Sequence, residues 1–349
     1  MRTGKATLGH IKRKIAGTKI INDQQDKKQP TRSWLEVLTD KTDISKDSEY
    51  RVAMTVSCRD SDYIPKVKNA GQFKTIDGTK YQIMHNGIIV ESGGYFGDWM
   101  AEIITSLKGH HEPQEEKIFY ELLQRLQPGA TMIELGSYWA YYSIWFNHSI
   151  KDATNYCCEP DPENIELGKR NSKINKTNNM HFMQTAAGKE DGIIIDFQPQ
   201  ENITNPTVSV PIRSIDKLIT EKLIEKFDIV HMDVQGVELD ALKGAEQSIR
   251  DNRVRFVIVS THHYAISQDV RIHEKCLDYI TSLGGHIIAE HAIHESFSGD
   301  GLIVASFFEE DKDFTVDISV NRMADNLFRS YTKDLEILIN EYENLRKLV

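Results

Sequence analysis

The stretch that most constrains this chain runs from Phe227 to Glu246, FDIVHMDVQGVELDALKGAE. Phe227–Met232 has the apolar composition of a buried strand. Asp233–Gly236 breaks it, and Val237, Leu239, Leu242 and Ala245 then recur towards one side of a helix. A carboxylate at the carboxyl end of a parallel strand, just before a helix, points into the crevice where open α/β sheets bind ligands. The rest of the chain is therefore read for further strand–turn–helix units.

Bulk composition narrows the classes. At 349 residues there is room for one catalytic domain with appendages. A net charge of −10 argues against general nucleic-acid binding, which depends on neutralising phosphates. No apolar run approaches the ~20 residues of a membrane span. The basic N-terminus lacks an apolar core and a small-residue cleavage site, so it does not read as a signal peptide. The cysteines Cys58, Cys157, Cys158 and Cys276 show no metal-ligand spacing, and a reducing cytoplasm is the simplest expectation. Cys157 and Cys158 should point to opposite faces of a strand.

Residues 1–30 carry many lysines and arginines and little apolar content, which predicts a mobile basic arm. Residues 31–110 read as a β-rich N-terminal module that could cover substrate. In it, Arg51–Cys58 alternates in part like a strand, and Asp77–Gly78 sits between Phe73–Ile76 and Tyr81–Met84 as in a hairpin. Asp98–Leu107 follows as a helix. Pro113 can open the next helix, and the polar cluster before it makes His111 and Glu112 candidates to reach over the crevice.

Residues 111–310 carry the doubly wound pattern. Thr131–Leu135 is a buried strand followed by Gly136, Ser137, Tyr138, Trp139 and Ala140, and then a helix. Of the glycines a dinucleotide needs, only Gly136 is present, and Tyr138 and Trp139 would obstruct a pyrophosphate; this disfavours an NAD-dependent oxidoreductase. The next strand ends at Glu159, ~20 residues beyond the glycine turn, where a carboxylate can accept both hydroxyls of a ribose. Thr185 and Ala186 end the third strand, near an adenine. Arg255–Val259 is a later strand that delivers His262 and His263 to the same edge. His294–Gly301 is a polar loop, either a lid or a long connection. Finally, Phe328, Tyr331, Leu335, Leu338, Tyr342 and Leu345 give residues 320–349 a heptad stripe that either packs on the parent domain or pairs with a second copy as a homo-oligomer.

The block Asp233, Gln235, Gly236, Glu238, Leu239 and then Leu242-Lys243-Gly244-Ala245 resembles the signature of the FkbM-type S-adenosylmethionine-dependent methyltransferase family. Ser214-Ile215-Asp216-Lys217-Leu218 and the acid–proline pair Glu112–Pro113 are similar to that family too, and the resemblance covers roughly residues 110 to 308. It implies a class I methyltransferase (Rossmann-like) fold: a mostly parallel doubly wound α/β sheet ending in an antiparallel hairpin, here His286–Ala292 with Leu302–Phe307. It implies S-adenosylmethionine as cofactor and a small-molecule or glycan acceptor, commonly a hydroxyl on a sugar or natural product. The cofactor-binding set would be Glu134, Gly136, Ser137, Tyr138, Glu159, Ala186 and Asp233, with Glu134 meeting the cationic methionine part. Two departures stand in the first motif, Glu134 for the usual Asp and Ala140 for the last Gly. Ala140, together with Trp139, leaves open an alternative in which the chain is a methyltransferase-like binding or scaffold protein.

Methyl transfer from a sulfonium is an in-line displacement that needs donor and acceptor oxygen aligned at ~3 Å. An alcohol is a weak nucleophile and gains from a general base. Asp233, Glu238, His262 and His263 stand on the correct edge. Neutral imidazole suits the task, so His262 is the favoured base, Asp233 the orienting group, and His263 the substitute if the strand ends one residue later. Asp233 and the histidines could also hold Mg²⁺, but they form no full ligand set.

Overall fold

The computed structural model describes residues 47–199 and 207–322. The basic arm 1–30 and nearly all of the heptad segment 320–349 lie outside the described residues.

The described chain begins with helix α1, Asp47–Ser57. The partial alternation of Arg51–Cys58 points to a strand, and the structure corrects it. Val52, Ala53, Met54, Thr55 and Val56 are all buried, so no exposed face marks the helical period, and Val52, Thr55 and Val56 add the bias of β-branched residues. Strands β1, Phe73–Ile76, and β2, Thr79–Ile83, then pair antiparallel. Asp77 and Gly78 between them have φ of 48° and 82°, the left-handed pair that a two-residue hairpin turn requires. Strand β3, Ile89–Glu91, completes this small sheet. Helix α2, Asp98–Ser106, packs on α1, and helix α3, Pro113–Leu123, opens on its proline.

The main sheet follows as β4 Thr131–Leu135, α4 Tyr141–Ser149, β5 Thr154–Glu159, α5 Pro162–Ile174 and β6 Met180–Gln184. A separate sheet of β7 Ala186–Ala187, β8 Ile194–Phe197 and β9 Val208–Arg213 interrupts it. Then come α6 Ile215–Glu221, β10 Phe227–Met232, α7 Glu238–Lys243, α8 Glu246–Arg250, β11 Val254–Thr261, α9 Tyr264–Ser267, α10 Ile272–Ser282, β12 His286–His291 and β13 Gly301–Ser306. The seven main strands lie in the order β12-β13-β11-β10-β4-β5-β6. β4, β5, β6, β10 and β11 are parallel, and β13 runs antiparallel to both its neighbours. This is the class I methyltransferase arrangement, terminal hairpin included.

Helices cover both faces, so the central strands are mostly apolar; all six residues of β10 are buried, Asp228 and His231 among them. Met132, Cys157 and Ile229 join Phe119 and Trp145 in the core of one face, while Ile133, Cys158 and Val230 join Ile215 and Leu242 in the other. The adjacent cysteines thus divide between faces as strand alternation demands. Ser214 caps α6 by accepting the Lys217 N–H, and Asp216 in turn accepts the Gln247 and Ser248 N–H groups that open α8.

Strand order reverses between β4 and β10, and the crevice outside such a switch point is where sheets of this kind take ligands. Gly136 and Asp233 meet there. Gly136 has φ 78°, and a Cβ on it would lie 1.8 Å from the Asp233 carbonyl oxygen. Gly136→Ala combines left-handed strain with a clash against backbone. It should cost at least about 3 kcal/mol of unfolding free energy by denaturant titration; a near-neutral midpoint would show that the two turns do not meet this closely.

Candidate active site

The glycine turn is fixed by backbone. Gly136 and Ser137 both donate to the Cys158 carbonyl, and Asp233 donates to that of Leu135. Glu159 stands at the end of β5, with Oε2 accepting the Tyr138 N–H and Oε1 the Asp161 N–H, each at 2.9 Å. A lone pair remains on each oxygen. Burial pushes its carboxyl up to about 8. Ser137 Oγ and the Tyr138 hydroxyl are buried without a hydrogen-bond partner among the described residues. Buried polar atoms are rarely left so, and the pair fits a ligand carrying carboxylate, ammonium and ribose hydroxyls. Ala140 adopts φ 59°, the conformation a glycine would take freely. Glu134, by contrast, accepts the Ser143 N–H at 3.0 Å inside the first turn of α4. It is committed to that helix, and burial raises it to about 7. Ala186 lies half-buried in β7, which Thr185 ties to the Pro211 carbonyl.

His262 is the centre of the acceptor edge. It follows Thr261, the last residue of β11, and is almost wholly buried. Its Nδ1 lies 2.6 Å from Glu238 Oε1, which also accepts the Gly236 N–H. Its Nε2 lies 3.1 Å from Asp233 Oδ1 and 2.7 Å from Gln235 Nε2. Asp300 Oδ1 stands 3.7 Å from the same nitrogen. Burial works against a charged ring, but Asp300, Asp233 and Glu238 outweigh it and hold the imidazole well above its usual range. Conversely, burial would raise Asp233, but His262 and Gln235 hold it below the ordinary carboxylate range. Asp233 thus does not cap α7; Val237 occupies the cap position. His263 turns away to cap α9, its Nδ1 accepting the Ala265 N–H.

Glu112 reaches the same edge from before α3. Its Oε2 accepts from the Tyr142 hydroxyl at 3.0 Å and lies 3.3 Å from His111 Nε2. Burial raises its carboxyl, and Glu115 and Asp233 add to the rise against His111. His111 is held from behind: Glu116 Oε1 accepts its backbone N–H at 2.9 Å and lies 2.5 Å from its Nδ1. Glu116 Oε2 is bound to His110 Nδ1. Tyr95, in the loop after β3, stacks on Trp139 at 4.4 Å and meets Tyr138 and His111 edge-on. Burial raises its hydroxyl well above the usual range, followed by the charges of Glu112, Asp233 and Asp300.

The sequence expectation included neither Asp300 nor Tyr95. Asp300 had a usable signal, an acid between two glycines just before an apolar strand. His85, His110 and Glu116 bring ligand atoms within 4.8 Å of one another. The two rings stack at 4.2 Å and 16°, so a cation cannot lie in the plane of both as imidazole ligation needs.

Residues 129–287 match the Methyltransferase FkbM domain. The turn at Gly136, Glu159, the Asp233 edge and His262 all fall inside the matched residues. Glu112 and Asp300 flank them from outside. The solved structures similar to this chain include the following. Magnesium protoporphyrin IX methyltransferase from Synechocystis PCC 6803, with bound SAM, has 13% identity over 55% of this chain and 77% of its own, with a TM-score of 0.37. TrmK from M. capricolum, in complex with S-adenosyl-homocysteine, has 13% identity over 66% and 85%, with a TM-score of 0.36. Precorrin-6y C5,15-methyltransferase from Geobacter metallireducens GS-15 has 13% identity over 54% and 87%, with a TM-score of 0.35. No curated protein sequence matches the chain. No helix among the described residues is long and apolar enough to cross a membrane.

Proposed function

We propose that the chain transfers the methyl group of S-adenosylmethionine to a hydroxyl of a sugar, glycan or natural product. The observation that carries this is the acceptor edge itself. Beside the glycine turn, Asp233 and Asp300 stand 3.1 and 3.7 Å from His262, and the charges of Glu112, Asp233 and Asp300 all act on the Tyr95 hydroxyl. Carboxylates are acceptors for hydroxyl protons, and an aromatic ring beside them suits the carbon face of a sugar. Gly136, Ser137, Tyr138 and Glu159 would hold the donor, Glu159 through the ribose hydroxyls. The donor, when bound, supplies an electrophilic methyl group. The protein's own work is to align the acceptor oxygen and receive its proton. Four buried cysteines without disulfides support a reducing compartment, for which we propose the cytoplasm.

Titration calorimetry with S-adenosylhomocysteine tests the donor side. The wild type should bind it, and Glu159→Ala should weaken binding about twofold to tenfold for each ribose hydrogen bond lost, at ~0.5–1.5 kcal/mol apiece. Because Glu159 also holds the Tyr138 and Asp161 N–H groups, a thermal melt must show the variant folded. Unchanged affinity in a folded variant removes Glu159 from the site. Methyl transfer to amines but not hydroxyls would overturn the acceptor class.

A further inference from the structure

Asp300 reaches the site by a route different from every other group there. Gly301 pairs with Thr261, so the antiparallel strand β13 enters the sheet where β11 ends, and Asp300 comes to lie beside His262. A Cβ on Gly301 would lie 2.6 Å from Thr261 Oγ1 and 2.7 Å from His273 Nδ1, so the strand can come this close only with glycine there. The loop before it is anchored: Phe297 donates its N–H to Gln114 Oε1, and its carbonyl accepts from Thr55 Oγ1. Ser296 Oγ accepts the N–H groups of Ser298 and Gly299. This loop is therefore a fixed mount for a carboxylate.

The two aspartates differ in what already occupies them. Asp233 Oδ1 accepts from Gln235 and lies 3.1 Å from His262 Nε2, so that oxygen is engaged. Asp300 stands 3.7 Å from that nitrogen, beyond a hydrogen bond, while the two side chains are about equally exposed, at 30% and 31%.

We propose that Asp300 takes the acceptor's proton, and that the positive charge of the bound donor keeps it ionised until it does. This rests on the donor assignment made above. The acceptor oxygen forms the new O–C bond, the C–S electron pair leaves with sulfur as the neutral thioether, and the hydroxyl proton passes to Asp300. The groups facing Asp300 are His262 after β11, Asp233 after β10, Glu112 before α3, Arg51 on α1 and Tyr95 after β3. Burial pushes the Asp300 carboxyl up to about 7, His262 opposes, and Asp233 and Glu112 add to the rise. A carboxylate so poised is a stronger base than its neighbour, and a sulfonium placed near it shifts it towards the ionised form.

The test needs no acceptor. S-adenosylmethionine and S-adenosylhomocysteine differ at sulfur by one positive charge and the methyl group. Titration calorimetry of the full chain at pH 7, repeated in buffers of different ionisation enthalpy, counts the protons each ligand releases. The wild type should release about half a proton more with the sulfonium than with the thioether, because a group titrating near 7 is about half protonated there. Asp300→Asn should abolish that difference while still binding the thioether. Equal release by the two ligands in the wild type, a comparison that needs no variant, would overturn the proposal. So would a difference that survives in Asp300→Asn. Failure of the wild type to bind the thioether at all would instead overturn the donor assignment beneath it.

Discussion

Glu116→Gln should lower the unfolding free energy by about 3–5 kcal/mol, read from the denaturation midpoint. Glu116 is fully buried and serves two rings and a backbone N–H at once, binding His110, His111 and the His111 amide. Removing one partner of a buried charge pair leaves the other uncompensated, and that cost dominates. Glutamine keeps the volume, so the loss reports charge and hydrogen bonding rather than a cavity. A change below about 1 kcal/mol would mean that Glu116 is neutral in the folded protein.

The same hub predicts how stability varies with pH. Burial disfavours a charged His111, yet Glu112 and Glu116 raise it to about 10. Its folded value lies above its unfolded one, so its contribution is whole below about 6.5 and is lost as pH rises through about 10. Burial would raise Glu116, but His110 and His111 depress it below the usual range. Its contribution is present above about 4.5 and is lost as pH falls. Both are intact only between about pH 4.5 and 6.5. Wild-type stability should decline between pH 7 and 10, and Glu116→Gln should show a flatter decline.

The sheet was legible because its strands announce themselves. Thr131–Leu135, Phe227–Met232 and Arg255–Val259 are short apolar runs, each followed by a turn or polar residues, as strands buried on both faces must be. The hairpin at Asp77–Gly78 was legible because its turn needs two left-handed residues, for which Asp-Gly is a preferred pair. Helix α1 was not, since burial on nearly every side erases the period of 3.6. The placement of Asp233, Glu238 and His262 on one edge followed from strand ends. What sequence could not give was direction. Glu134 and Glu159 both end strands beside the crevice, yet one turns back onto Ser143 and the other faces the glycine turn. His262 and His263 are adjacent, but only their partners show that one points to the carboxylates and the other caps α9. Asp300 had a local signal, but its place beside His262 depends on an antiparallel register between strands 40 residues apart in sequence, Thr261 with Gly301.

His262→Ala should destabilise the fold by about 3–5 kcal/mol as well as abolish efficient turnover. A neutral base predicts loss of activity alone. The difference lies in Glu238, fully buried, whose Oε1 would retain only the Gly236 N–H once the ring is gone. His262 is flanked by Glu238 on one nitrogen and Asp233 on the other, and Asp300 adds a third negative charge. These hold the proton on the ring. An imidazole that keeps its proton at neutral pH cannot accept one from the substrate. It can fix Asp233 and balance the charge of the carboxylate edge. Its raised folded value means that its stabilisation is whole below about pH 6.5 and is lost only as pH rises through that higher value. An imidazole-resolved NMR titration of the folded chain should therefore find His262 titrating above the ordinary imidazole range. Glu238→Gln, which preserves shape and removes one charge, should lower its proton affinity at least about tenfold. A ring that titrates near 6.5 in the wild type would return the proton-accepting role to His262 and take it from Asp300.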